Sequence, residues 1–419
     1  MVMTLAEKIL ARAAGRESVK PGEVVTAKID IAMSHENADV VLRAFKEIGI
    51  GKVWDPDRIV ILFDHRIPAE SEKTAATHQR IRDFVKEQRI KHFYDLKEGI
   101  CHQILPEHGH SRPGDVMVGT DSHTTTHGAY GTFATGIGAT EMAGVWTTGE
   151  LWFMVPETMK INVSGKFREH VSAKDLILSI IGRISASGAD YRAVEFTGKT
   201  ISNMSLASRM VLTNLSMEMG AKVALVAPDA KTIAYVKNHT RMEFEPQLPD
   251  SDAEYIEEMD FDVSSLPSMV ACPHTVDNVK AVADIAGTRI DQALIGSCTN
   301  GRLEDLATAS RILEGKKVSQ DVRLLVIPAS RRVYLEAMQK GYIEIFIRAG
   351  GLVLNPGCGP CLGAHQGLMA PGEVCISTTN RNFKGRMGSS ESFIYLASPA
   401  TVAASALTGV ITAPDMPAP

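Results

Sequence analysis

The chain reads as an α/β protein built on parallel strands. Short apolar runs rich in β-formers alternate with helix-like segments, the pattern of strand–helix–strand units. Several of those runs lead directly into clusters of His, Asp, Arg or Cys, as happens where open α/β sheets bind ligands beyond their strand ends. At 419 residues the chain also exceeds the ~250–300 that a single core organises, so two or three domains are expected.

Taken in order, the N-terminal MVMTLAEKILARAAGRES reads as an amphipathic helix. It lacks the apolar stretch and small-residue cleavage site of a signal peptide. No uninterrupted apolar run reaches the ~18 residues of a membrane span, so a cytoplasmic location without membrane contact is expected. Strand-like runs follow at 59–63 (IVILF), 116–118 (VMV), 293–296 (ALIG), 324–329 (LLVIPA), 352–354 (LVL) and 374–377 (VCIS). Pro156 precedes a fresh strand pattern, KINVSGKF. The acidic, proline-containing EFEPQLPDSDAEYIEEMDFDVSSLPSMVACPH reads as an irregular excursion before another α/β unit. These shifts place domains at 1–155, 156–278 and 279–419. A glycine-rich stretch at 131–144 has no strand directly before it and no later acidic residue in a βαβ frame, so NAD and FAD are rejected.

Composition narrows the function classes. A hydrophobic share of 44% and a charged share of 22% are those of a soluble globular protein. The formal net charge of −5, with no basic run, argues against nucleic acid as a partner. Six cysteines are too sparse for a disulfide scaffold.

Three of those cysteines, Cys298, Cys358 and Cys361, lie in loops that each follow an apolar run, in ALIGSCTNGR and GLVLNPGCGPCLG. Three thiolates would leave one iron of a 4Fe–4S cluster without a protein ligand, able to act as a Lewis acid. A zinc site completed by Cys375 or a histidine is the rival. Cys375 lies inside a strand-like run and reads as core, and Cys101 and Cys272 lack ligand-like spacing.

Other runs end in Asp64-His65 and in Thr120-Asp121-Ser122-His123; with His102 these supply carboxylates beside imidazoles. An imidazole so placed can be oriented and held protonated, ready to give a proton to a leaving hydroxyl. Surface histidines beside helix caps are the plain alternative, and His108, His110 and His127 are read that way. Asn214 and Glu218 are four apart in a helix-like segment stopped by Gly220, which places both on one otherwise apolar face. Arg381 and Arg386 offer two guanidinium forks for carboxylates.

Together these segments resemble the large subunit of 3-isopropylmalate dehydratase and homoaconitase, within the aconitase superfamily. FDH (63–65), GICHQILPEHG (99–109), VGTDSHTTTHGAYGTFATGIGATEM (118–142), IGSCTNGR (295–302), NPGCGPCLG (355–363) and NRNFKGRMG (380–388) carry the resemblance from end to end. It implies three α/β/α domains around a 4Fe–4S cluster with one exchangeable iron, and dehydration and rehydration of hydroxy di- and tricarboxylates. By position it implies Cys298, Cys358 and Cys361 as cluster ligands. Asp64, His65, His102, Asp121, His123 and Glu218 would handle the hydroxyl and its protons, with His65 the proton donor. Asn214, Asn300 and Asn380 would stand near the cluster, and Arg381 and Arg386 would hold carboxylates with help from His35 and Ser122. After His35, MSHENADVV departs from the family's D/E-x-T pattern. The family's swivelling fourth domain, with its serine base, has no match here, so a separate small subunit is expected to supply it. Leucine biosynthesis is the implied setting, with homoaconitase and citramalate- or 2,3-dimethylmalate-type dehydratases as alternatives. An RNA-binding apo-form and a zinc hydro-lyase are the readings from other classes.

Overall fold

The computed structural model describes residues 2–415. The expected N-terminal helix is Leu5–Ala13; Thr4 caps it, and Glu7 reaches back to the Thr4 amide. The first strand, β1 (Val24–Lys28), stands apart from the sheet that follows. β2 (Ile31–Ser34), β3 (Ile59–Leu62), β4 (His92–Tyr94), β5 (Val116–Gly119) and β6 (Phe133–Gly136) form that sheet in the order β4-β3-β2-β5-β6, all parallel. β2, β3 and β5 are buried at every position, as strands covered on both faces must be. β7 (Glu150–Met154) then returns to pair antiparallel with β1.

The second sheet comprises β8 (Thr158–Ser164), β9 (Ala193–Thr197), β10 (Val223–Val226) and β11 (Glu257–Asp262), parallel in the order β10-β9-β8-β11. β11 runs through the acidic stretch that reads as irregular from sequence. It is an edge strand with one wet face, so its inward signal reduces to Met259 and Phe261 among four acidic residues. The third sheet holds β12 (Met269–Ala271), β13 (Val279–Ala281), β14 (Gln292–Gly296), β15 (Arg323–Ile327), β16 (Leu352–Val353), β17 (Val374–Ser377) and β18 (Phe393–Ala397). Their order is β13-β12-β18-β17-β14-β15-β16, parallel except where β12 meets its two neighbours. This is the α/β architecture expected from the alternation of runs.

Strand order explains where chemistry can gather. In the first sheet the chain steps one way through β2, β3 and β4 and the other way through β5 and β6, so the order reverses between β2 and β5. In the third it steps from β14 to β15 and β16, and on the other side to β17 and β18, reversing between β14 and β17. Helices on opposite faces leave a crevice beyond the carboxyl ends at each reversal. One apolar cluster joins Ile31, Met33, Val60, Leu62 and Met117 of the first sheet to Cys298, Cys358 and Cys361. The two crevices therefore meet.

Candidate functional site

The first crevice is a buried network of imidazoles and carboxylates. Asp64 and His65 follow β3, and their side chains approach to 2.5 Å at His65 Nδ1. On its other side, His65 Nε2 lies 3.4 Å from Asp121 Oδ2. Asp121, beyond β5, is the hub: its Oδ1 lies 2.9 Å from His102 Nε2 and accepts the His123 amide at 2.7 Å. Burial alone would lower the basicity of His65, yet Asp64 and Asp121 raise it well above the ordinary imidazole value. Burial would raise Asp121, and His102, His123 and His65 together hold it well below the usual carboxylate range. His35 stacks on His65 with ring centroids 4.3 Å apart. Ser122 is half-buried, its hydroxyl 3.5 Å from His123 Nδ1.

Glu218 connects this network to the third sheet. Its Oε1 lies 2.8 Å from His123 Nε2 and accepts the Arg381 Nε–H at 2.7 Å. Burial opposes its charge, but these two partners win and hold it below its ordinary value. The expected single helix through Asn214 and Glu218 is instead two segments. The α-helix ends at Leu215, and Glu218 sits in the 3-10 turn Ser216–Met219 that Gly220 stops with φ 88°. Tightening the last turn swings Glu218 toward His123, while Asn214 faces the cysteines.

The three thiols come from the ends of β14 and β16, and all are buried. At the Cys298 loop Gly296 has φ 153°, and a Cβ there would lie 2.6 Å from the Ile327 carbonyl oxygen, so no larger residue fits. Asn380, beyond β17, links the loops: its Nδ2 donates to Cys298 Sγ at 3.4 Å, and Cys361 Sγ donates to its Oδ1 at 3.6 Å. Asn214 Nδ2 adds a contact to Cys298 Sγ at 3.6 Å. Burial pushes the Cys298 thiol up to about 11, and negative charge at Cys361 and Asp121 adds to this. The Cys358 hydrogen bond and the charge of Arg386 outweigh burial and hold the Cys361 thiol well below its ordinary value. Cys358 shifts upward through that same bond and through burial.

Of the residues expected near the cysteines, Asn300 is not aimed at them: its amide donates to Asp305 Oδ1 at 2.9 Å. Arg386 is brought beside Cys361, with its Nε buried and without a hydrogen-bond partner among the described residues. Cys375 lies within β17 as buried core. Three side chains escaped sequence reading. His127 is buried, 3.3 Å from His102 Nδ1 and 2.8 Å from the Ser111 hydroxyl; its TTTH setting resembles any capped turn. Lys174 reaches from the second unit to the Thr378 and Thr379 carbonyls at 2.7 and 2.6 Å. Burial brings its ammonium down to about 7, against the pull of Cys298 and Asp305. Nothing in SAKDLILS marks it off from an ordinary helix-start lysine. Glu36 is the third, and adjoins His35. A cavity of about 1080 Å³ lies between segments of the second sheet and of the third and has Lys174 and Asn300 among its lining residues; the imidazole network is not part of it.

Opposed crevices, one rich in imidazole and carboxylate and the other in thiol and guanidinium, define an α/β enzyme with a proton-handling and metal-competent centre. A model of the aconitase family (aconitate hydratase) matches residues 7–409. The "Probable 3-isopropylmalate dehydratase large subunit" of Methanothermobacter thermautotrophicus is 56% identical over 415 residues, covering 99% of each chain. The "Probable methanogen homoaconitase large subunit" of the same organism is 53% identical, over 99% of this chain and 98% of that one. Among solved structures, the holo-form of Thermococcus kodakaraensis aconitase X matches in fold, with a TM-score of 0.50 at 14% identity over 87% of this chain and 89% of that one. The chain belongs to the aconitase family and is a hydro-lyase. That family implies a 4Fe–4S cluster, and the donor set fits one: three buried thiols on two loops, two of which, Cys298 and Cys361, meet the side-chain amide of Asn380. Among the described residues no helix is long and apolar enough to cross a membrane.

Proposed function

We propose that this chain is the large, cluster-bearing subunit of a 3-isopropylmalate dehydratase, active when joined by a separate small subunit. The observation that carries this reading is the bridge at Glu218, which couples the imidazole network through His123 to Arg381, the chain neighbour of the Asn380 that meets Cys298 and Cys361. Such a bridge places proton handling and carboxylate binding within one side chain of each other.

Cys298, Cys358 and Cys361 would hold a 4Fe–4S cluster. When bound, such a group supplies a Lewis-acidic iron for a hydroxyl and carboxylate. His65, held protonated between Asp64 and Asp121, donates the proton that the departing hydroxyl needs. Asp121 orients His65, His102 and His123 together. His102 takes its orientation also from His127. Arg381 and Arg386 bind the substrate carboxylates, and Arg381 is aimed by Glu218. Ser122 and His35 line the approach. The small subunit carries the swivelling domain, the base for the carbon-bound proton and most of the discrimination among side groups.

A second reading, a homoaconitase large subunit, is favoured by the 53% identity to the relative of that name, close to the 56% of the first. Co-expression with the partner, anaerobic reconstitution with iron and sulfide, and assay of 3-isopropylmalate, homocitrate, citramalate and 2,3-dimethylmalate separate the two. Turnover of isopropylmalate by the pair, with the chain alone inactive, is the expected result. Preference for homocitrate selects the second reading. A colourless, zinc-loaded and fully active protein overturns the cluster assignment.

A further inference from the structure

Glu36 is a buried carboxylate whose two oxygens do different things. Oε1 accepts three consecutive backbone amides, those of Asp64, His65 and Arg66, each at 3.0 Å. Among the described residues Oε2 has no hydrogen-bond partner, and it lies 3.5 Å from His35 Nδ1 and 3.9 Å from His65 Nδ1. The turn it holds is fixed from two other sides. Cys358 donates its amide to the Asp64 carbonyl at 2.8 Å, and the Cys101 amide donates to Asp64 Oδ2 at 2.8 Å. Glu36 follows β2 and the turn follows β3, so this one side chain crosses between neighbouring strands of the first sheet.

A merely structural cap would need an acceptor, and a neutral amide would serve. Charge at this depth is costly unless it is used. The groups facing Glu36 are His35 on its own segment, Asp64 and His65 on the turn, and His78 on the helix packed behind, whose ring senses the Glu36 charge. Asp64 is already spent on His65 and on the Cys101 amide.

We infer that Glu36 is a positioning residue for the reaction: Oε1 fixes the Asp64–His65–Arg66 turn, and the charge reaching His65 through Oε2 helps keep that imidazole protonated. This rests on the reading of His65 as proton donor. The two functions separate by substitution. Glu36→Gln keeps an acceptor for the amides and removes the charge. Glu36→Ala removes both.

The test uses the full chain reconstituted with its small subunit, with steady-state kinetics from pH 6 to 10, together with histidine NMR and thermal unfolding of the full chain. E36Q is expected to unfold within a few degrees of the parent and keep KM within about threefold. Its kcat should fall about tenfold, with the alkaline limb and the His65 titration both moving to lower pH by up to about one unit. E36A is expected to unfold at clearly lower temperature and to lose kcat further. If E36Q leaves the His65 titration where it was, the inference is overturned. If that titration moves but kcat and the alkaline limb do not, Glu36 acts on His65 as inferred and it is the donor role of His65 that fails. Should E36A not fold, E36Q alone decides the charge, and Glu36→Asp, a shorter acid, decides the hold. Full kcat in E36D would overturn the positioning role, because the shorter side chain cannot reach the three amides and His65 together.

Discussion

The two halves of the site are built on opposite electrostatic plans. Around Asp121 imidazoles, carboxylates and a guanidinium pair with one another: Asp64 with His65, Asp121 with His102, Glu218 with His123 and Arg381. Around Asn380 the functional atoms are sulfurs at 3.4–3.6 Å from neutral amides, with buried Lys174 and half-buried Arg386 among the nearby cations. Charge in the first half is compensated pairwise. In the second, positive charge is supplied to a region of thiols rather than to individual partners. The proton-handling half is thus ordered by its own hydrogen bonds, whereas the thiol half sets its sulfurs against neutral amides under nearby positive charge. The helix Ala173–Ile184 brings Lys174 to the thiol half, whereas Glu218, on the turn Ser216–Met219, joins the two halves through His123 and Arg381.

The largest effect expected from this contrast is at the thiols. Cys358→Ser should abolish the visible absorbance and most of the iron, and lower turnover by at least ~10³-fold, while circular dichroism stays that of the parent; retained iron and colour would remove Cys358 from the ligand set. Asp121→Asn, at the hub of the other half, should lower kcat by ~10²–10⁴ with iron content unchanged, and Glu218→Gln should fall in the same range. A near-normal rate in either would demote that carboxylate to structure. Lys174→Met strips the cation from two buried carbonyls and should cost ~2–4 kcal/mol in urea unfolding, accompanied by weaker iron retention. Loss of stability alone would place Lys174 outside the thiol half.

The pH dependence of folding sharpens the same comparison with a smaller effect. His65 is raised above its unfolded value, so its stabilisation is complete below about pH 6.5 and declines as pH rises toward its folded value. Asp121 and Glu218 are lowered. Their stabilisation is present above about pH 4 and is lost as pH falls through their folded values. The stability difference between the parent and His65→Gln should therefore shrink on the alkaline side of neutrality. A difference that grows there would contradict the charged His65–Asp64 pair. The smallest effect is the control: Cys375→Ala in β17 should cost ~1 kcal/mol and leave iron stoichiometry untouched.

Local signals located the loops of this site well. Asp64, His65, Asp121, His123, Cys298 and Asn380 each follow a run whose apolar side chains are buried on both faces, and such runs announce their own ends. β11 was harder, because an edge strand needs apolar residues only on its inner face, and acidic side chains on the other side mask the period. Glu218 was found by its spacing from Asn214, yet the helix that spacing implied is broken by the 3-10 turn before Gly220. Lys174, His127 and Glu36 gave no local sign, since their side chains' hydrogen-bond partners lie at least 204, 16 and 28 residues away.

What the sequence by itself determined is the architecture and the inventory: parallel strands from apolar runs, three thiols on two turns, and imidazoles and arginines at strand ends. These follow from chain-local physics, in which side-chain period and turn chemistry act over a few residues. Only the tertiary structure decided the wiring. It set which strand order reverses and where, which carboxylate meets which imidazole, that Asn300 turns to Asp305 while Asn380 turns to the thiols, and that Glu36 grips a neighbouring turn. Those outcomes depend on distances between segments brought together by the sheets, and on burial that makes an unpaired charge too costly to leave alone.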